Sequence, residues 1–140
     1  MNPLENFDEA TECFAFFWLR DRKPERVKLS EMHEFDRWFR DPQNRWVRQT
    51  TVGPLRVSTI FLGVAAFEIE QDPVRGHVEM SFRFFETLVF YADTLKVWEI
   101  DHVRERYVTY EEAIAGHEAI CEMVKMKQGL PPDKEEMVLH

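Results

Sequence analysis

Leu55-Arg56-Val57-Ser58-Thr59-Ile60-Phe61-Leu62-Gly63 and, later in the chain, Phe85-Glu86-Thr87-Leu88-Val89-Phe90 decide the fold. Both runs are rich in β-branched and bulky apolar residues interrupted by hydroxyls, the composition of strands with a buried face. Just before the first stands Gly53-Pro54. There the glycine can take positive φ and the proline fixes a turn, so residues 45 to 52 and 55 to 63 should form an antiparallel hairpin. A two-residue loop sets Thr51 opposite Arg56 and Gln49 opposite Ser58 on one face. It leaves Trp46, Thr50, Val57, Thr59 and Phe61 on the other.

Working outward, the second strand continues through Phe67-Glu68-Ile69 until Gln71-Asp72-Pro73-Val74-Arg75-Gly76 turns the chain back. A long strand then runs from about His77 to Tyr91. On it Phe82, Phe84, Leu88 and Phe90 share one parity with Glu86, while Arg83, Phe85, Thr87, Val89 and Tyr91 take the other. A further strand is expected around Lys96 to Ile100, and Val103 to Val108 reads as an edge strand or an extended lead into a helix. Thr109 and Glu112 supply the T-x-x-E pattern in which hydroxyl and carboxylate each satisfy a free backbone N–H at a helix start. That helix runs to about Lys127, with Ala113, His117, Ile120 and Val124 on its apolar face.

On the N-terminal side, Cys13 to Leu19 reads as a strand that ends in a charged loop around Pro24. Ser30 offers an N-cap, and Met32, Phe35 and Phe39 recur at helical spacing before Asp41-Pro42, predicting a short amphipathic helix over residues 31 to 40. The expected architecture is α+β: an antiparallel sheet of three to five strands, a short helix in the N-terminal half and a longer C-terminal helix packed on one face. One domain should span residues 1–128. Residues 1–12 form its acidic arm, and 129–140 a mobile tail that opens on the helix-stopping Gly129.

Composition narrows the function classes. Hydrophobic residues make up 44% of the 140, with 12 Phe, so the chain should fold. Its net charge of -8 works against sequence-independent binding to phosphate backbones, and direct nucleic-acid binding is not expected. Cys13 and Cys121 lack CxxC spacing and read as reduced thiols. No basic-plus-apolar leader opens the sequence and no long uncharged run occurs. The expectation is a cytoplasmic protein without a membrane partner.

The chemistry-bearing residues are few. His33, His77, His102, His117 and His140 are scattered, and the pairs His77 with Glu79 and Asp101 with His102 lack further ligands, so neither a metal nor a cofactor is expected. Two residues stand out. His117 lies on an apolar helix stripe, where a buried ring needs hydrogen-bond partners and a core role outweighs a catalytic one. Glu86 shares a face with large apolar residues and must either be paired, with Arg48, Arg56 and His117 as candidates, or line a pocket. A Glu86–His117 cluster is the place where a hydrolase site would form. Arg20, Arg22, Lys23, Arg104 and Arg106 are the groups that would line a groove for an anionic ligand such as a nucleotide.

The strings Arg56-Val57-Ser58-Thr59-Ile60-Phe61-Leu62-Gly63, Phe85 to Phe90, and Glu105-Arg106-Tyr107-Val108-Thr109-Tyr110-Glu111-Glu112-Ala113 with Gly116-His117 together resemble a group of small bacteriophage and prophage proteins. In that group VSTxFLG, FETMVF and ERYxTWEEAxxGH segments recur in the same order. The resemblance covers roughly residues 31 to 126. It departs from the group at Val64-Ala65-Ala66-Phe67, where members carry a Leu-Asp-His step and a glycine-rich turn. It implies a phage-encoded accessory protein in bacterial cytoplasm that binds and inhibits a host protein in counter-defence or host takeover. A nucleotide sponge is the alternative. The four Trp and 12 Phe exceed what a small core readily hides. Exposed aromatic surface is therefore expected, covered by a host protein or by a second copy in a homodimer.

Overall fold

The computed structural model describes residue 8 and residues 12–72, 74–98, 103–129 and 136–139; residues 12–15, 67–72, 77–81 and 136–139 are described by their backbone. At the Gly53-Pro54 turn Gly53 takes a φ of 57°. Strand β3 (Trp46–Val52) there returns as β4 (Leu55–Asp72). Thr51 pairs with Arg56 and Gln49 with Ser58, as the two-residue loop requires. A bulge between Trp46 and Arg48 alters one part of the expectation. It pairs Trp46 with Ile60, moving the indole to the face opposite Thr50 and Val57.

Strand β4 is the axis of the sheet. Along almost its whole length it pairs with β5 (His77–Tyr91), and β6 (Arg104–Tyr107) extends the sheet beyond β5. On the other side β4 meets β3 first and then, past the hairpin, β1 (Glu12–Arg20) at Val64. All neighbours are antiparallel. Among the described residues the sheet numbers seven strands, more than the three to five expected, because two stretches read as irregular are strands. The basic stretch after Arg20 forms β2 (Lys23–Lys28), joined to β1 through Asp21 and Arg22, whose φ values of 51° and 64° are the left-handed pair of a tight hairpin turn. Pro24 is tolerated because β2 is an edge, and Val27 is fully buried. The C-terminal stretch, expected as a tail, contributes β7 (Glu136–Leu139) beside β3. The strand expected at 96–100 is reduced, among the described residues, to a bridge between Phe90 and Val97.

Helix α1 (Met32–Arg40) closes the far end of the sheet. It follows a single tight turn at Leu29–Glu31, so Ser30 does not cap it; the Glu31 carboxylate instead accepts from the Lys28 amide at 3.0 Å. Phe35 packs against Phe16 and Trp18, while Trp38 reaches Phe61. Here β4 is bulged: Phe61 faces Phe85 and Ala66 faces Arg83, so Leu62 to Ala65 oppose Phe84 alone. Gly63 takes a φ of 79° in this bulge, and a Cβ there would sit 2.5 Å from Phe39. Only glycine fits both demands.

Helix α2 (Tyr110–Gln128) crosses the face that carries Val52, Leu55, Val57 and Val89, and buries Ala113, His117, Ile120, Cys121 and Val124. Its start is the predicted capping box. The Thr109 hydroxyl accepts from the Glu112 amide at 3.1 Å, and the Glu112 carboxylate accepts from the Thr109 amide at 3.2 Å. Gly129 ends the helix in the left-handed region. Thr109→Ala should therefore lower stability by about 1 kcal/mol, read as a shifted midpoint in chemical denaturation.

Among the described side chains the expected exposed aromatic surface is not found. Among the residues whose side chains are described, the exposed large apolar residues are Leu29, Val64, Val74, Leu95, Val97 and Met126, none aromatic. The rings instead pack on each other in series, from Phe35 through Trp38, Phe61 and Phe85 to Tyr110.

Candidate functional site

His117 is 1% exposed, and its ring lies over the central strands. Nε2 is 2.7 Å from the Thr50 hydroxyl on β3, and Nδ1 is 2.7 Å from the Thr59 hydroxyl on β4. Thr59 continues to Thr87, its direct cross-strand partner on β5, through a short hydroxyl contact. A neutral imidazole has one donor and one acceptor nitrogen, and hydroxyls rotate to serve either, so both tautomers close this chain. The helix position of His117 was legible in the sequence. The hairpin register already put Thr50 and Thr59 on one face; the continuation to Thr87 and the choice of that face for α2 were not legible, because the pairing of β5 with β4 and the packing of α2 are defined only in the assembled sheet.

Tyr107 on β6 occupies the next position on the same face, opposite Phe85. Its ring lies against Gly116 of α2, where no side chain intervenes. Burial pushes the phenol pKa above its usual value of about 10, and the carboxylate of Glu105 adds to the shift. The Thr87 hydroxyl acts in the opposite direction without completing a hydrogen bond of normal geometry to the phenolic oxygen.

Glu86 lies on the other side of the sheet. Its strand neighbours Phe85 and Thr87 face α2, so the alternation of side chains points Glu86 away from it. Glu86 and His117 are therefore separated by the sheet, and the expected cluster does not form. The carboxylate, 8% exposed, accepts from Arg106 Nε at 2.8 Å, with Arg104 Nε 3.9 Å away. Neither guanidinium was among the partners expected. Both are cross-strand or diagonal neighbours on β6, and the register of β6 carries no local sequence signal. Arg48 is drawn to the opposite face instead, where it pairs with Glu118 of α2 at 2.9 Å.

The face that α2 leaves open in this half of the sheet can be set out from the register in three rows. Thr51, Arg56, Phe90 and Val97 form the first; Gln49, Ser58, Leu88 and Arg104 the second; Trp46, Ile60, Glu86 and Arg106 the third. Trp46, Ile60, Leu88 and Phe90 are half-buried, and Val97 is 55% exposed. Arginines thus border an apolar strip.

The remaining basic candidates do not join this face. Arg20 stacks over Trp18 with its guanidinium carbon 4.0 Å from the ring centroid and pairs with Glu31 at 3.5 Å. Arg22 lies over Tyr110, 5.2 Å from the centroid, at the start of α2, and Lys23 is exposed beside them. The five candidates therefore form two separate sets, one at the β1–β2 turn and one on β6. Among the described residues no three His, Cys, Asp or Glu side chains gather as a metal site. The pairs at 77–79 and 101–102 and the Cys13 thiol lie outside the described side chains. Cys121 is buried, and no described helix is long and apolar enough to cross a membrane.

Comparison with family models, with curated proteins and with solved structures gives no match for this chain.

Proposed function

We propose that this chain is a binding protein that engages a protein partner through the open face of its sheet. In the setting implied by the sequence resemblance, it is a phage-encoded inhibitor of a host protein in bacterial cytoplasm. The observation that carries this reading is the three-row layout: an apolar strip through Ile60, Leu88, Phe90 and Val97, edged by Arg56, Arg104 and Arg106, on a face α2 does not cover. Apolar and aromatic groups bordered by arginine are the composition of interface anchors. The two acid–base candidates support the same reading. His117 is committed on both ring nitrogens to core threonines, and Glu86 to arginine, on opposite sides of the sheet. The basic residues proposed for a nucleotide are already stacked, paired or divided between two sites.

Site-specific photo-crosslinking in bacterial cells tests the reading. A photoreactive residue at Val97 should give discrete protein adducts, whereas one at Met126, 79% exposed on α2, should not. Equal labelling from both positions, or adducts from position 126 alone, would reject the open face as the binding surface.

A further inference from the structure

Resting on that reading, we infer that the partner presents an acidic surface in which carboxylates flank an apolar side chain, so that this face is a receptor for an acidic protein segment. Among the described residues three guanidinium groups stand on the face against one carboxylate, although the chain as a whole carries -8. The local excess is positive on a negative protein. Arg104 is 61% exposed and only loosely held, 3.9 Å from a Glu86 carboxylate that Arg106 already occupies. Arg56 makes no ion pair among the described residues. Among the described residues the charge of the face is therefore positive, and the exposed Arg104 guanidinium is the donor an acceptor-rich partner would meet first. Leu88 and Phe90, between the arginines, provide the apolar contact that a purely anionic small molecule would not use.

The same charges decide against a second copy stacked on this face by a two-fold axis. That arrangement sets arginine against arginine, with only the two Glu86 carboxylates, already paired within each chain, to offset them. An acidic partner meets no such repulsion, and its approach to the basic face is accelerated by the opposite charge.

Selection of a random peptide library against the intact protein tests this directly. Selected peptides should be enriched in Asp and Glu next to an aromatic or branched apolar residue, and their binding should weaken as salt is added. Arg104→Glu should weaken it by roughly tenfold or more, since an anchor becomes a like charge. Arg37→Glu, on the exposed side of α1, should leave it unchanged. Neutral or basic consensus peptides, failure to select any, or indifference to Arg104→Glu would overturn the proposal. So would saturable binding of ATP that Arg104→Glu abolishes, or a dimer in light scattering that Val97→Asp dissociates. Adducts at position 97 with no acidic preference would leave the binding face standing and remove only this partner chemistry. Loss of the position-97 adducts would remove the binding face itself.

Discussion

His117→Ala should cost about 3–5 kcal/mol, the sum expected from an unfilled cavity and from buried hydroxyls left without their partner. Thr50 and Thr59 are both fully buried, so neither can turn to water when the imidazole is gone. Thr59 keeps Thr87, but Thr50 loses the ring that answers its hydroxyl. His117→Gln retains one hydrogen-bonding end and should fall between the two. The informative variant removes the whole chain at once: His117→Leu with Thr50→Val, Thr59→Val and Thr87→Val leaves no polar atom of the network stranded and should recover most of the stability. Denaturation midpoints rank the three. If the apolar variant folds and still crosslinks from position 97, the network is a structural device. If it folds and the function is lost, His117 takes part in chemistry that the binding reading does not include.

Local patterns in the sequence announced most of the fold. Thr109 and Glu112 declare the helix start because both capping partners lie within four residues, and Gly53-Pro54 sets the hairpin register for the same reason. Non-local determinants were hidden. The bulge that turns Trp46 over depends on Val47 finding a place in the core beside Phe61 and Phe85, and no strand pattern encodes that. Strand β2 was masked by its charges, since an edge strand buries only Val27 fully and otherwise resembles a solvated loop. The same limit applies to the site. Period-two alternation in β5 already placed Glu86 and Thr87 on opposite faces, but which face would receive His117 required knowing that α2 packs on Val57 and Val89. The arginine border needed the register of β6 as well, and that register is fixed by pairing across 16 or more residues of chain, from Leu88 to Arg104.

Gly116→Ala should destabilise the domain by about 1–3 kcal/mol, reversing the sign expected for glycine to alanine within a helix. Elsewhere in α2 the change would add stability of about 1 kcal/mol, because glycine lowers helix propensity. Here a Cβ would fall within the Tyr107 ring, against Cε1, Cζ and Oη, and either the ring or β6 must move. A double-mutant cycle with Tyr107→Ala isolates the clash: adding Gly116→Ala should be harmful with the ring present and mildly favourable once it is gone. Alkaline titration supplies a second readout. Burial raises the folded phenol above its usual value, so the unfolded chain ionises first; stability is intact below pH of about 10 and declines as pH rises through the folded value. Tyr107→Phe removes this decline and also deletes a buried hydroxyl without a partner, so it should cost little at neutral pH. If Gly116→Ala expels the ring into solvent, its tyrosinate absorbance should appear at lower pH than in the parent protein. If β6 moves instead, Arg104 and Arg106 move with it, and binding of acidic peptides should weaken while the phenol titrates as before. An unchanged midpoint together with an unchanged titration would mean that Tyr107 does not pack against Gly116, and the anchoring of β6 to α2 described above would be wrong.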